Sequence, residues 1–144
     1  MVIAYADTSA VARAFLVDEA DHELLRGLLF TTPGVAVTSD LTRIELSAAF
    51  RRAARAGRIS DPERLITAAL TEVSRSGGLR TVNLRIGEIE SEVHHLLGRH
   101  RLRAADAIHL ATAIVALDGP EGVQFITRDR DQAEAARAEG FEVL

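Results

Sequence analysis

The alternation of short apolar runs with helical patterns constrains the fold of this chain more than any other feature. The apolar runs are rich in β-forming residues and short, as expected for strands buried on both faces. They are Val2 to Ala6, Val35 to Thr38, Leu79 to Leu84, Val123 to Thr127 and Phe141 to Leu144. The alternation predicts an α/β fold with three layers, α/β/α, around a central, mostly parallel sheet of about five strands.

Helix start and stop signals divide the rest of the chain. Ser39 or Asp40 is a predicted N-cap, Pro62 stands in a predicted first turn, and Gly57 is a predicted stop. Helices are expected at 10–17, 21–29, 41–56, 62–74, 86–100, 104–117 and 131–138, with a turn at 32–34. Because no repeat, linker or low-complexity segment is present, one domain over 1–144 is expected.

Composition excludes several classes of protein. Cysteine is absent, which rules out disulfides, thiolate zinc sites and cysteine nucleophiles, and a reducing cytoplasm is the expected location. No apolar run approaches the roughly 20 residues of a membrane span, so no membrane partner is expected. The formal net charge of -4 argues against a generally basic nucleic-acid surface, although local basic stripes can still bind phosphate.

Four acidic residues stand where a ligand site is expected. Asp7 ends the first predicted strand and Asp129 follows the fourth, and ligands bind beyond the carboxyl ends of parallel strands. Glu45 and Asp106 lie in apolar helical stretches, where a carboxylate is costly to bury unless it is paired or holds a cation. Oxygen ligands of this kind suit Mg²⁺ or Mn²⁺ and indicate phosphodiester hydrolysis.

Each acid also has a purely structural explanation. Asp7 and Asp129 fit helix caps, and Asp106 fits a first-turn acid favoured by the helix dipole. Glu45 fits a surface ion pair with Arg52 or Arg43. Only the joint occurrence of the four acids, in this order, favours a metal site.

The motifs that carry these acids resemble those of PIN domains. They are Asp7-Thr8-Ser9-Ala10, the helix around Glu45, the run from Asp106 to Ala111, and Thr127-Arg128-Asp129. The resemblance covers almost the whole chain, and the small size is similar to that of the VapC toxins of bacterial toxin-antitoxin pairs.

This resemblance implies an endoribonuclease that depends on Mg²⁺ or Mn²⁺ and hydrolyses RNA phosphodiester bonds. Asp7, Glu45, Asp106 and Asp129 would be the catalytic and metal-binding acidic quartet. Supporting hydroxyls would come from Thr8, Ser9 and Thr127. The implied partners are RNA, a cognate antitoxin and a second copy of the chain.

Secondary candidates lie around these motifs. Arg51, Arg55 and Arg58 form a basic stripe that suits either RNA phosphates or a solvated face. Asp131 and His109 are candidates to assist the acids, with a helix cap and a core histidine as the alternatives. Arg99, Arg101 and Arg103 precede Asp106 and are candidates to bind substrate. The apolar residues around Phe15 and Leu28 are a candidate surface for an antitoxin segment.

Two other functions fit the same patterns. A catalytically silent RNA-binding protein with a PIN fold would keep the motifs without cleaving RNA. A receiver-like phosphoacceptor domain also has acids at strand ends, but it needs a lysine near its site, and every basic residue here other than histidine is arginine.

Overall fold

The computed structural model describes residues 3–31 and 35–144, so Val2 and the predicted turn at 32–34 lie outside the described residues. The strands are β1 (Ile3–Ala6), β2 (Val35–Ser39), β3 (Arg80–Val82), β4 (Val123–Ile126) and β5 (Glu142–Val143). They form one sheet in the order β3-β2-β1-β4-β5, and every pair is parallel. The prediction of a mostly parallel sheet of about five strands is therefore confirmed.

Seven α-helices connect the described strands. They are α1 (Thr8–Arg13), α2 (His22–Arg26), α3 (Asp40–Arg55), α4 (Pro62–Glu72), α5 (Ile86–Arg99), α6 (Ala104–Ala116) and α7 (Arg130–Ala138). Ser39 caps α3 by accepting a hydrogen bond from the Leu41 amide at 3.0 Å, and Asp61 caps α4 in the same way. These caps satisfy amide groups that have no partner inside the helix.

The first two helices differ from the prediction. The α1 helix ends at Arg13 rather than Val17, and its last turn tightens, with Phe15 donating to the carbonyl of Ala12. The α2 helix continues as a π-helical turn over Gly27–Thr31. Glycine weakens an α-helix because it gains the most backbone freedom on unfolding, which favours the change of winding at Gly27.

The sheet separates two apolar clusters. Helices α1 to α4 pack on one face, where Ala4 and Ala6 of β1 point. Helices α5 to α7 pack on the other face, where Tyr5 points. Alternate residues of a strand face opposite sides, so the apolar run of β1 serves both layers. The result is the expected three-layer α/β/α arrangement.

The strand order indicates at which edge of the sheet a ligand would bind. The chain runs outward from β1 to β2 and β3, then returns to the other side of β1 as β4. Strand order thus reverses between β1 and β4, and the crevice beyond their carboxyl ends is the usual binding site of such a sheet. None of the helices in the described part of the chain is long and apolar enough to cross a membrane.

Candidate active site

Two of the predicted acids lie at this reversal point. Asp7 follows β1, and its amide extends the sheet by donating to the Ile126 carbonyl of β4 at 3.0 Å. Asp129 follows β4 and caps α7, accepting from the Gln132 amide at 2.8 Å. Parallel pairing of β1 with β4 brings two residues that are far apart in sequence to the same edge.

Asp7 is the buried acid of the set. Only 3% of its surface is exposed, and it accepts from the Ser9 hydroxyl at 2.7 Å and from the Ala10 amide at 3.3 Å. Burial raises the pKa of Asp7 from 3.8 to about 6, although nearby His109 and these hydrogen bonds oppose the rise. Asp7 is therefore both a helix cap and a carboxylate whose charge is poorly solvated.

Asp106 stands at the start of α6, half-buried and facing other acids. Desolvation raises its pKa, and the negative charges of Asp129 and Glu45 raise it further. His109, one turn later on the same helix, has the opposite effect. Neighbouring negative charges that raise the pKa of Asp106 indicate a pocket in which a cation would be favourable.

Glu45 extends from α3, in the opposite helical layer, to meet α6. Its Oε1 atom contacts Nε2 of His109 at 2.6 Å and accepts from the Thr8 hydroxyl at 2.8 Å. Desolvation alone would raise the pKa of Glu45, but the hydrogen bonds with His109 and Thr8, together with electrostatic interactions with His109 and Arg52, outweigh it and lower that pKa. His109 thus lies close enough to affect the pKa of three of the four acids.

The three predicted hydroxyl residues all contact this network. Thr8 donates to Glu45. Ser9 donates to Asp7 and accepts from the Arg128 amide at 2.8 Å. Thr127 accepts from the Asp129 amide at 3.0 Å and donates to Gln132 at 2.8 Å. Each hydroxyl therefore orients an acid or the turn that carries it.

A cavity of about 560 Å³ opens at this edge of the sheet. Its lining includes Glu45, Asp106, Asp129 and the secondary candidate Asp131, while Asp7 is not part of the lining. Arg101 and Arg103 complete the charged wall, and within the described residues neither guanidinium forms an ion pair. The cavity therefore combines a cluster of carboxylates with two unpaired cations.

The acids fit a divalent cation by their chemistry. All four offer hard oxygen atoms, and the raised pKa values of Asp7 and Asp106 show that their negative charge lacks compensation. No three of these side chains bring ligand atoms within 4.8 Å of one another in the described residues. Mg²⁺ binds through one or two carboxylates and retains several waters, so this wider spacing suits it.

A second group of potential metal ligands lies outside the acidic cavity. Glu92, His95 and Glu139 bring ligand atoms within 4.8 Å of one another on α5 and just after α7. The Glu139 carboxylate already contacts His100 at 2.7 Å and Arg99 at 3.4 Å. Glu139, one of the three, therefore already has hydrogen-bonding and ionic partners.

The basic stripe predicted on α3 has partners of its own. Arg51 pairs with Glu63 at 2.5 Å, and Arg58 pairs with Asp18 and Glu19 at 2.8 and 2.9 Å. Arg55 is exposed at the end of the helix. The role of this stripe in RNA binding stays a prediction, and the arginines that line the acidic cavity are Arg101 and Arg103.

Comparison with known proteins agrees with the fold described above. The family model described as "PIN domain" matches residues 4–138. No curated protein matches the chain. Three solved structures of bacterial toxins or toxin complexes share the fold across almost their whole length.

The Mycobacterium tuberculosis VapC20, described as a sarcin-ricin loop cleaving toxin, is 22% identical, with 96% of this chain and 95% of that chain covered and a TM-score of 0.68. A toxin-antitoxin complex from Klebsiella pneumoniae is 20% identical, with 98% and 95% covered and a TM-score of 0.61. VapBC2 from Rickettsia felis, bound to a promoter DNA fragment, is 13% identical, with 99% and 97% covered and a TM-score of 0.60.

Proposed function

The chain belongs to the PIN domain family, and on that premise we propose that it is an endoribonuclease dependent on Mg²⁺ or Mn²⁺, acting as the toxin of a toxin-antitoxin pair. The observation that carries the proposal is the acidic cavity at the reversal point of the sheet. PIN domains generally use divalent metals, and VapC toxins of this family are ribonucleases. Residues 1–144 would act as one such domain.

The four acids take distinct parts in this proposal. Asp106, Asp129 and Glu45 line the cavity and would hold the ion, with Asp7 behind them as a buried negative charge. The bound ion supplies Lewis-acid polarisation of the scissile phosphate and offsets the repulsion between the acids and the RNA backbone. The hydroxyls of Thr8, Ser9 and Thr127 keep the carboxylates oriented.

Substrate binding requires cations beside this negative wall. Arg101 and Arg103 line the cavity and are free to bind RNA phosphates, which arginine does by paired hydrogen bonds. Arg51, Arg55 and Arg58 would contact phosphates farther along the strand only after Arg51 and Arg58 exchange their carboxylate partners.

RNA cleavage with and without metal tests the enzymatic part of the proposal. We expect purified protein to cleave single-stranded or loop RNA with Mg²⁺ or Mn²⁺ and not in excess EDTA, and Asp106→Asn to lose cleavage. Asp61→Asn is the control, because Asp61 caps an exposed helix end away from the cavity. Tight RNA binding without cleavage by the wild type would favour a catalytically silent RNA-binding protein instead.

The toxin role requires an antitoxin and a place for it to bind. A second cavity, of about 670 Å³, lies between the end of α1 and the start of α4 and is lined by apolar side chains that include Phe15, Val17 and Leu65. Val17 is 82% exposed. An antitoxin segment bound there would bury this surface. Leu28 packs against the core instead of lining the cavity, so we place the groove at Phe15 and Leu65.

We also propose that the chain forms a homodimer.

A further inference from the structure

A chain of hydrogen bonds runs from the buried centre of the sheet to one of the acids. The Tyr5 hydroxyl of β1 lies 2.7 Å from Nδ1 of His109, and Nε2 of His109 lies 2.6 Å from Oε1 of Glu45. Tyr5 and His109 are 0% and 1% exposed. The chain therefore connects three elements, β1, α6 and α3, and ends at the cavity.

The acceptor character of the Glu45 carboxylate determines which nitrogen of His109 carries a proton. A carboxylate only accepts hydrogen bonds, so the Nε2 atom must carry a proton and donate it. The orientation of the imidazole ring is then fixed at its other nitrogen by the Tyr5 hydroxyl. A histidine ring held at both nitrogens cannot flip without breaking two buried hydrogen bonds.

Packing fixes the position of Tyr5, at the buried end of this series of hydrogen bonds. The Tyr5 ring stacks on Phe125 with a centroid distance of 5.4 Å and meets the His109 ring edge-on at 5.9 Å. Close-packed aromatic rings in a core leave little room for another rotamer. The position of the Tyr5 hydroxyl is therefore determined by the sheet itself.

The hydrogen bonds to Glu45 hold only one of its two carboxylate oxygens. His109 and Thr8 both contact Oε1, and in the described part of the chain no hydrogen bond reaches Oε2. A carboxylate held by one oxygen presents the other in a defined direction. Glu45 lines the acidic cavity, where this second oxygen is available to a cation.

We propose that Tyr5 and His109 are positioning residues that hold Glu45 ready for the divalent cation. The inference rests on the proposed function, because it assumes that Glu45 is a ligand of the ion. Partners that orient a ligating carboxylate typically contribute about 10- to 100-fold to metal affinity. Tyr5 is thus a functional residue within a strand that is otherwise core.

Binding of Mn²⁺ alone, without RNA, tests the proposal by calorimetry. We expect His109→Leu to raise the dissociation constant by about 10- to 100-fold and Tyr5→Phe by about 10-fold. His109→Gln should restore most of the affinity, because its amide can donate from near the Nε2 position. Thr112→Val is the matched control: it also removes a buried hydroxyl that forms a 2.7 Å hydrogen bond, on the same helix but away from Glu45.

The ¹⁵N spectrum of His109 in the metal-free protein provides a second readout. We expect a protonated Nε2; an unprotonated Nε2 with the proton on Nδ1 would overturn the proposal. Unchanged Mn²⁺ affinity in Tyr5→Phe and His109→Leu, with tight binding by the wild type, would overturn the positioning role alone. Absence of Mn²⁺ binding by the wild type would instead overturn the proposed function and this inference with it.

Discussion

Replacing Asp7 by Asn should make the metal-free protein more stable at neutral and alkaline pH while abolishing RNA cleavage. The carboxyl of Asp7 is buried with a pKa of about 6, against 3.8 for the ordinary group. Asn has nearly the same shape and keeps an oxygen that can accept from Ser9 and from the Ala10 amide. The substitution therefore removes the charge and leaves the helix cap in place.

The size of the effect follows from the raised pKa. Because the folded-state pKa lies above the unfolded one, the protonated carboxyl favours folding, and its contribution is complete below pH 3.8 and lost as the pH rises through about 6. At about 1.36 kcal/mol per pH unit, ionised Asp7 lowers the free energy of unfolding by about 3 kcal/mol at pH 8. About 1 kcal/mol of this is already lost at pH 4.5.

Urea unfolding in EDTA between pH 4.5 and 8 measures this difference. The stability advantage of Asp7→Asn over the wild type should grow by about 2 kcal/mol across that range. The Asp61→Asn variant shows what the same chemical change costs at an exposed helix cap. Added Mg²⁺ should then stabilise the wild type by mass action and the Asp7→Asn variant much less.

Two results would refute this reasoning. If Asp7→Asn were destabilised by a similar amount at every pH, Asp7 would be a cap without electrostatic strain. If the variant also retained cleavage, the assignment of Asp7 to the acidic quartet would be wrong.

Further predictions concern substrate, partner and core. Replacing Arg101 and Arg103 by Ala should weaken RNA binding and reduce the slope of log affinity against log salt by about 1.4, as expected for two lost phosphate contacts on a single strand; an unchanged slope would contradict their role. Expression of the wild type should arrest growth, and a cognate antitoxin should relieve the arrest; Val17→Asp, at an exposed residue of the apolar cavity, should weaken the complex in pull-down assays without reducing cleavage. Phe50→Ala should lower the free energy of unfolding by about 3 to 5 kcal/mol, measured in urea, because Phe50 is completely buried in the core; a loss below 1 kcal/mol would contradict that packing.

The sequence was sufficient to predict the elements and their layers. Short apolar runs and helix caps are local signals: Ser39, one of the two predicted caps, begins α3, and Pro62 stands in the first turn of α4 as predicted. The end of α1 at Arg13 and the π-helical turn after α2 differ from the sequence prediction, because the exact point at which a helix ends depends on how it packs against its neighbours.

Local sequence also predicts that Asp7 and Asp129 follow the ends of two strands, and the pairing of β1 with β4 brings these residues to one edge of the sheet. What it left open was their environment. Only the fold shows that Asp7 is behind the cavity wall, that Arg51 and Arg58 are paired with carboxylates, and that Arg101 and Arg103 face the acids.

Tyr5 and His109 are the clearest case of a role decided by tertiary structure. In the sequence, Tyr5 is one residue of an apolar strand, and nothing marks its hydroxyl as different from a core group. Its partner lies 104 positions away, and the pair reaches Glu45 from a third element. Sequence periodicity determines which side of a strand a residue faces, whereas the partners that it meets there depend on how distant segments pack.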